Sequence, residues 1–184
     1  GGYFEEGEDQ LEKATGKVSG KVAAISGGAG GLGEAAARVL LAQGAQVLIT
    51  DIRDDEGKAL LEEFGDSARY EHHDVRAESE WKRVIATAEA AFGPVSILVN
   101  SAGIIDVSPL ETYAEADYRR VIDINQVGTF LGMKSVVPSM RKAGGGAIIN
   151  LSSTAGLHGS PCTMAYVASK FAVRGMTKVA ALEL

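Results

Sequence analysis

Tyr166 and Lys170, four residues apart in Tyr166-Val167-Ala168-Ser169-Lys170, carry the clearest chemical signal in this sequence. On a helix that spacing stacks both side chains on one face. An unperturbed phenol, with a pKa near ~10, gives up its proton too reluctantly for work near neutrality, and an adjacent ammonium favours the phenolate. Such a pair can take a proton from an alcohol or return one to a ketone. The same spacing also arises on ordinary surface helices, so the pair gains its meaning from Ser153, 13 residues earlier. Ser152 and Ser153 directly follow an apolar run, 147–151, and open parallel sheets bind ligands beyond the carboxyl ends of their strands.

A second constellation lies near the other end of the chain. Ser26-Gly27-Gly28-Ala29-Gly30-Gly31-Leu32-Gly33 sits between an apolar run and a segment of helical composition. Glycines there permit a tight turn, let backbone approach a pyrophosphate and let the helix pack closely on the sheet. The helix N-terminus adds unpaired N–H groups and a partial positive charge. Asp51, 18 residues beyond Gly33, ends the next apolar run. A carboxylate at that point accepts hydrogen bonds from an adenosine ribose and repels a 2′-phosphate, and Ala29 and Gly30 supply no cation to offset the repulsion. NAD is therefore expected over NADP, a preference that Arg53, two residues on, could soften. The competing role for Asp51, a helix cap or turn residue, is the weaker one at this place.

The elements that must position these groups follow from periodicity. Val22–Ser26, 47–50, 70–73, 95–99 and 147–151 read as strands, mostly without polar alternation. Helices are expected over 34–43, 56–64, 79–92, 114–142 and 164–182. Short apolar strands alternating with helices imply βαβ units, hence an α/β, Rossmann-type, doubly wound parallel sheet buried on both faces. Residues 1–19, with five carboxylates and few apolar partners, read as a flexible or tag-derived arm with a short helix near 9–14, and 20–184 as one dinucleotide-binding catalytic domain.

Composition narrows the partners. A net charge of -6 argues against nucleic acid, no apolar run is long enough to cross a bilayer, and the single Cys162 excludes an internal disulfide. A cytoplasmic location is the expectation. His72 and His73 lack the companions of a metal site, so none is expected, and both histidines read as exposed or locally satisfied. Trp81 reads as packing. Cys162 and Met164 could touch a substrate or fill core. Glu62, Glu63 and the Asp54-Asp55-Glu56 run read as solvated helix surface and a helix start.

Taken together, the 26–33 turn, Asp51, Asp74-Val75, Asn100-Ser101-Ala102-Gly103, Asn125, Ser153, Tyr166 and Lys170 resemble the short-chain dehydrogenase/reductase family in order and spacing, from about residue 21 to the end. Within it, 130–134 and 144–153 are similar to bacterial 3α/20β-hydroxysteroid dehydrogenases. The resemblance implies that Tyr166 exchanges the substrate's hydroxyl proton, that Lys170 assists it and holds the nicotinamide ribose, that Ser153 bonds the substrate oxygen, and that Asn125 holds a relay water. It assigns Gly27, Gly30, Gly31, Leu32 and Gly33 to the pyrophosphate. Asp51, Ile52, Asp74 and Val75 fall to the adenosine, and Asn100, Ala102 and Gly103 to the cofactor cleft. Ser153 is preferred to Ser152 because the family's serine-to-tyrosine interval fits it.

Two substitutions depart from the family pattern: Ser26 stands for threonine and keeps the hydroxyl, and Ser101 stands for asparagine and loses an amide that braces the sheet. Family members also continue past the active-site helix, so the sequence is expected to belong to a longer protein, with the fifth strand left as a sheet edge. The reaction implied is hydride transfer between NAD(H) and a secondary alcohol or ketone, a hydroxysteroid among the candidates, by a homodimer or homotetramer. The rival readings are a 3-oxoacyl-thioester reductase, whose relatives usually use NADP, and a nucleotide-binding subunit without catalysis.

Overall fold

The computed structural model describes residues 16–184. The helix expected near 9–14 lies outside them. Residues 16–19, assigned to the arm by composition, hold to the body: Val18 N–H donates to the Gln43 carbonyl and its side chain packs on the core.

Five parallel strands form the sheet: β1 (Val22–Ser26), β2 (Gln46–Asp51), β3 (Ala68–His72), β4 (Ile97–Asn100) and β5 (Ala147–Asn150), in the order β3-β2-β1-β4-β5. Five helices precede the last: α1 (Gly31–Ala42), α2 (Asp54–Phe64), α3 (Glu78–Phe92), α4 (Glu115–Ile122) and α5 (Gly128–Lys142), with α6 (Met164–Glu183) closing the chain. This is the Rossmann-type arrangement expected from the alternation, and it places the reversal of strand order between β1 and β4. The carboxyl ends of those two strands diverge there and leave a crevice.

Burial explains why the strand signals differ in strength. β1, β2 and β4 are central, so nearly every side chain is buried, while β3 and β5 lie at the two sides of this sheet and are largely half-buried or exposed. Val22, Ala24, Leu48 and Leu98 face Trp81, Val84 and Val136 of α3 and α5. Ala23, Ile25, Val47 and Ile49 face α1 and α2 through Ala37, Leu40 and Leu60. Alternate residues of one strand thus serve opposite layers.

One expectation needs correction. The segment 114–142 is not a uniform α-helix: α4 and α5 are joined without leaving helical backbone by a wider π turn over Asp123–Val127. A single inserted residue of this kind shifts the helix face without changing composition, so a 3.6-residue pattern does not show it. Asn125 lies in that turn.

Candidate active site

The glycine turn forms because β1 must hand over to α1 within a few residues. Gly27 has φ +67° and Gly31 φ +56°, conformations that favour glycine. A Cβ on Gly33 would run into the Gly27 carbonyl oxygen, so Gly33 lets α1 seat on its own loop. Gly30 stands at the N-cap, and no side chain among the described residues caps the helix. The donors of its first turn are thereby left to an anion. The loop lines a cleft of about 900 Å³ together with Asp51, the Asp74-Val75 pair, Ala102, Tyr166 and Lys170.

Each cleft group has a structural reason to be where it is. Asp51, the last residue of β2, accepts from the Ala29 N–H at 3.1 Å and from the Arg53 N–H at 3.1 Å. The turn role set aside in the sequence is therefore real, and it coexists with a carboxylate at the cleft. Asp74 is gripped by the Arg76 guanidinium, which holds its carboxyl below the usual aspartate range. Trp81 donates its indole N–H to the Val75 carbonyl at 3.0 Å, so the packing residue also fixes the adjacent cleft wall.

His73 departs from the expectation of an exposed or satisfied histidine. His72 is exposed and bonded to Asp54, whereas His73 is buried edge-to-face against Trp81. The Thr50 hydroxyl donates to the Ile25 carbonyl at 3.1 Å, so the 2.9 Å contact with His73 assigns the imidazole proton to Nδ1. Nε2 then has no partner among the described residues. Burial pulls the His73 pKa from 6.5 down to about 4. Between those values the unfolded chain binds more protons than the folded one, so stability falls as pH drops through 6.5 and levels off below about 4. At pH 4.5 the His73 contribution to lost stability should be roughly 2–3 kcal/mol. Urea unfolding of the parent and of His73→Gln at pH 7 and 4.5 checks this, since carboxylates common to both proteins cancel in the double difference. An equal loss in both would mean that His73 is already charged in the fold.

The tyrosine–lysine end of the cleft is built by α6. Tyr166 and Lys170 share a face as expected, with Lys170 Nζ 5.6 Å from the phenol ring centroid and donating to the Leu151 carbonyl at 2.9 Å. Lys170 is buried, and that burial pulls its pKa below the ordinary lysine value. Ser152 and Ser153 divide their work. Ser152 donates its hydroxyl to the Lys170 carbonyl at 3.0 Å and so anchors α6 to the end of β5. Ser153 accepts from the Ala155 N–H, which leaves its own O–H available to a ligand oxygen.

Gly33, Asn100, Asn125 and Ser153 do not line the cleft that gathers the other predicted residues. Asn100 instead donates to Asn150 at 2.8 Å across β4 and β5, in the register that pairs them. Asn125 is 1 % exposed, which removes the solvent-facing alternative. Its amide clamps Ile104 from both sides, accepting from its N–H and donating to its carbonyl at 2.8 Å each, and also donates to Ser169 Oγ at 3.1 Å. With the side-chain amide so engaged, Asn125 acts here as the joint between the π turn, the strand β4 loop and α6. Ser169, which the sequence reading passed over, completes that joint by donating to the Tyr166 carbonyl. Cys162 and Met164 are exposed, so neither fills core.

A family profile described as short chain dehydrogenase matches residues 21–184. The chain belongs to the short-chain dehydrogenase family. It is 48% identical over 170 residues to the 3-alpha-(or 20-beta)-hydroxysteroid dehydrogenase of Mycobacterium tuberculosis, a match covering 92% of this chain and 65% of that protein. It is 42% identical over 183 residues to the trans-4-hydroxycyclohexanecarboxylate dehydrogenase of Sinomonas cyclohexanicum, covering 95% and 70%. An NADP-dependent (R)-specific alcohol dehydrogenase of Lentilactobacillus kefiri is 39% identical over 172 residues, covering 92% and 68%. The chain thus spans 65% of the length of its hydroxysteroid-dehydrogenase relatives. In this chain the glycine loop, Asp51 and the tyrosine–lysine face all open on one cleft, although they come from opposite ends of the matched segment.

Proposed function

We propose that this chain carries the cofactor and proton-transfer machinery of an oxidoreductase that interconverts a secondary alcohol and a ketone, with NAD(H) as the favoured dinucleotide. The observation that carries the reading is the continuity of one cleft from Asp51 and the glycine loop to Tyr166 and Lys170. The residues fit a dinucleotide: an uncapped helix N-terminus faces the pyrophosphate position, and the Asp51 carboxylate stands where a ribose would donate to it. When bound, that cofactor supplies the hydride acceptor or donor.

The chain's own residues supply the rest. Ser153 offers its O–H to the substrate oxygen, and Tyr166 takes the hydroxyl proton on oxidation or returns it on reduction. Lys170, held against the Leu151 carbonyl, keeps a positive charge beside the phenol ring and a donor for a ribose hydroxyl. Asn125 and Ser169 hold α6 in register with the end of β4. A hydroxysteroid or another alicyclic alcohol is the proposed substrate class, supported by the names of the relatives at 48% and 42% identity. A cytoplasmic site of action fits the charge and the single cysteine.

Oxidation of NADH by a panel of 3-keto and 20-keto steroids, cyclohexanone carboxylates and a 3-oxoacyl thioester, assayed with the full polypeptide, tests this reading. Turnover confined to the thioester would replace it with the reductase alternative, and binding of NADH without turnover of any ketone would favour a nucleotide-binding subunit. We propose further that α5 and α6 pair across two-fold axes, because Phe130 and Phe171 stand 47% and 45% exposed on them. A single-chain mass by light scattering at micromolar concentration would overturn that pairing.

A further inference from the structure

Tyr166 and Lys170 are two steps of a row that continues to Arg174, again four residues on and on the same face of α6. Arg174 is half-buried, and its guanidinium Nη1 donates at 2.6 Å to the Gly156 carbonyl rather than to a carboxylate. Gly156 ends the tight turn Thr154–Gly156 that follows Ser153. Within that turn the Ser153 and Thr154 carbonyls receive the N–H groups of Gly156 and Leu157 at 2.9 Å each. The Gly156 carbonyl, on a buried residue, turns instead to the helix for its donor.

This contact bears on Ser153 because the turn fixes the serine. Ser153 has extended backbone that leads straight into the turn, and its Oγ accepts from the Ala155 N–H at 3.1 Å. The hydroxyl therefore moves with the turn as a unit. On the near side the turn is tied to α6 by Ser152 Oγ, which donates to the Lys170 carbonyl at 3.0 Å. On the far side the tie is Arg174. The seat between them is close: a Cβ on Gly156 would stand 2.6 Å from Ser152 Oγ, 2.9 Å from the Lys170 carbonyl oxygen and 3.0 Å from Arg174 Cδ. Ser153 thus lies between two side-chain bonds to the helix that carries Tyr166, and its placement relative to the phenol depends on both.

We propose that Arg174 is a positioning residue for the reaction: by holding the Gly156 carbonyl it keeps the Ser153 hydroxyl in register with Tyr166, so that both reach one substrate oxygen. The proposal rests on the alcohol–ketone reading of the site, and in it Arg174 acts through the turn rather than on the substrate. Arg174→Met removes the guanidinium and keeps an unbranched stem against Gly156, whereas Arg174→Lys restores a cationic donor on a long stem. Without a donor the Gly156 carbonyl is left buried and unpaired, and the turn shifts to bring it to water. A displacement of about 1 Å in a positioned group can cost about 10²-fold in rate.

The first measurement needs no turnover. Site-resolved hydrogen exchange at the Ala155 and Gly156 amides should be about tenfold or more faster in Arg174→Met and return near the parent in Arg174→Lys. In the full polypeptide, kcat for reduction of a 3-keto steroid or a cyclohexanone carboxylate by NADH should fall about 10–100-fold in Arg174→Met and recover in part in Arg174→Lys. NADH affinity should stay within about twofold of the parent. Trp81 is the single tryptophan and packs on His73 beside the cleft wall, so energy transfer from its indole to reduced nicotinamide reports that occupancy. On a Ser153→Ala background, Arg174→Met should lower kcat by no more than about twofold further, because the group it positions is already gone. An equal loss on both backgrounds would make Arg174 a support for α6 as a whole and overturn the proposal while the reading of the site stands. Unchanged exchange at the turn in Arg174→Met would overturn it in the same way. A normal kcat in Ser153→Ala, or a parent that reduces neither ketone, overturns the underlying reading and the proposal with it.

Discussion

Tyr166→Phe should lower kcat by about 10²–10⁴-fold, the usual contribution of a positioned acid–base group, with folding and dinucleotide affinity nearly unchanged. The argument is one of isolation. The variant keeps the ring that packs 5.6 Å from Lys170 Nζ, and the main-chain carbonyl that accepts from Ser169 is untouched. Only the transferable proton is lost. Lys170→Ala should act on the same step and carry a structural cost besides, because the ammonium also donates to the Leu151 carbonyl at the end of the fifth strand. In the double variant the two losses should fall well short of additive, since the proposed mechanism has both residues serve one proton transfer. The assay is kcat at saturating NAD with the full polypeptide, and thermal melting of each variant separates catalysis from folding. A near-normal kcat for Tyr166→Phe would falsify the assigned acid–base role even though the fold and family stand.

The readability of this molecule depended on whether a feature is written in residue type or in three-dimensional pairing. Central strands were legible because burial on both faces demands unbroken apolar residues, as in Val22–Ser26. Edge strands were fainter because half of each is exposed, and β3 accordingly begins two residues earlier than its composition suggests. The glycine loop and the tyrosine–lysine face were legible because glycine, and Tyr and Lys at helical spacing, are local signals. What stayed hidden is long-range. Ser152 and Ser153 are chemically identical in sequence and differ there only in their interval to Tyr166; the physical distinction between an anchoring hydroxyl and an available one is the bond from Ser152 to the Lys170 carbonyl. The anchoring of the Asn125 side-chain amide by Ile104 and Ser169 was hidden as well, because those partners lie 21 and 44 residues away. Neighbouring histidines took opposite environments because His72 ends an edge strand and His73 turns under it onto Trp81. The position of Arg53 over Gly30 could not be read either, since it depends on how a flexible side chain crosses between two loops.

Gly27→Ala should be among the most damaging single-methyl additions in the chain. At φ +67° an L-residue pays roughly 1–2 kcal/mol for a left-handed backbone. The added Cβ would also stand 2.7 Å from the Cα and N of Ala102 and 3.1 Å from the Ser101 carbonyl carbon. These are backbone atoms just past the end of β4, beside β1 in the middle of the sheet, so they cannot swing aside as a side chain would. Forcing β1 and β4 apart there adds roughly 1–3 kcal/mol of overpacking, and it distorts the crevice at which the strand order reverses. A total of roughly 2–5 kcal/mol should lower Tm by about 4–20 °C in a chain of this size. Energy transfer from Trp81 to NADH should vanish, because the loop can no longer keep its distance from the Ala102 wall. Gly31→Ala is the matched control: φ is +56°, but nothing lies within 4 Å of its added Cβ. That variant should suffer only the backbone cost, a few degrees in Tm. Equal melting temperatures for the two variants would show that the close approach of Gly27 to Ala102 does not constrain the cleft, and that the loop's glycines act through backbone conformation alone.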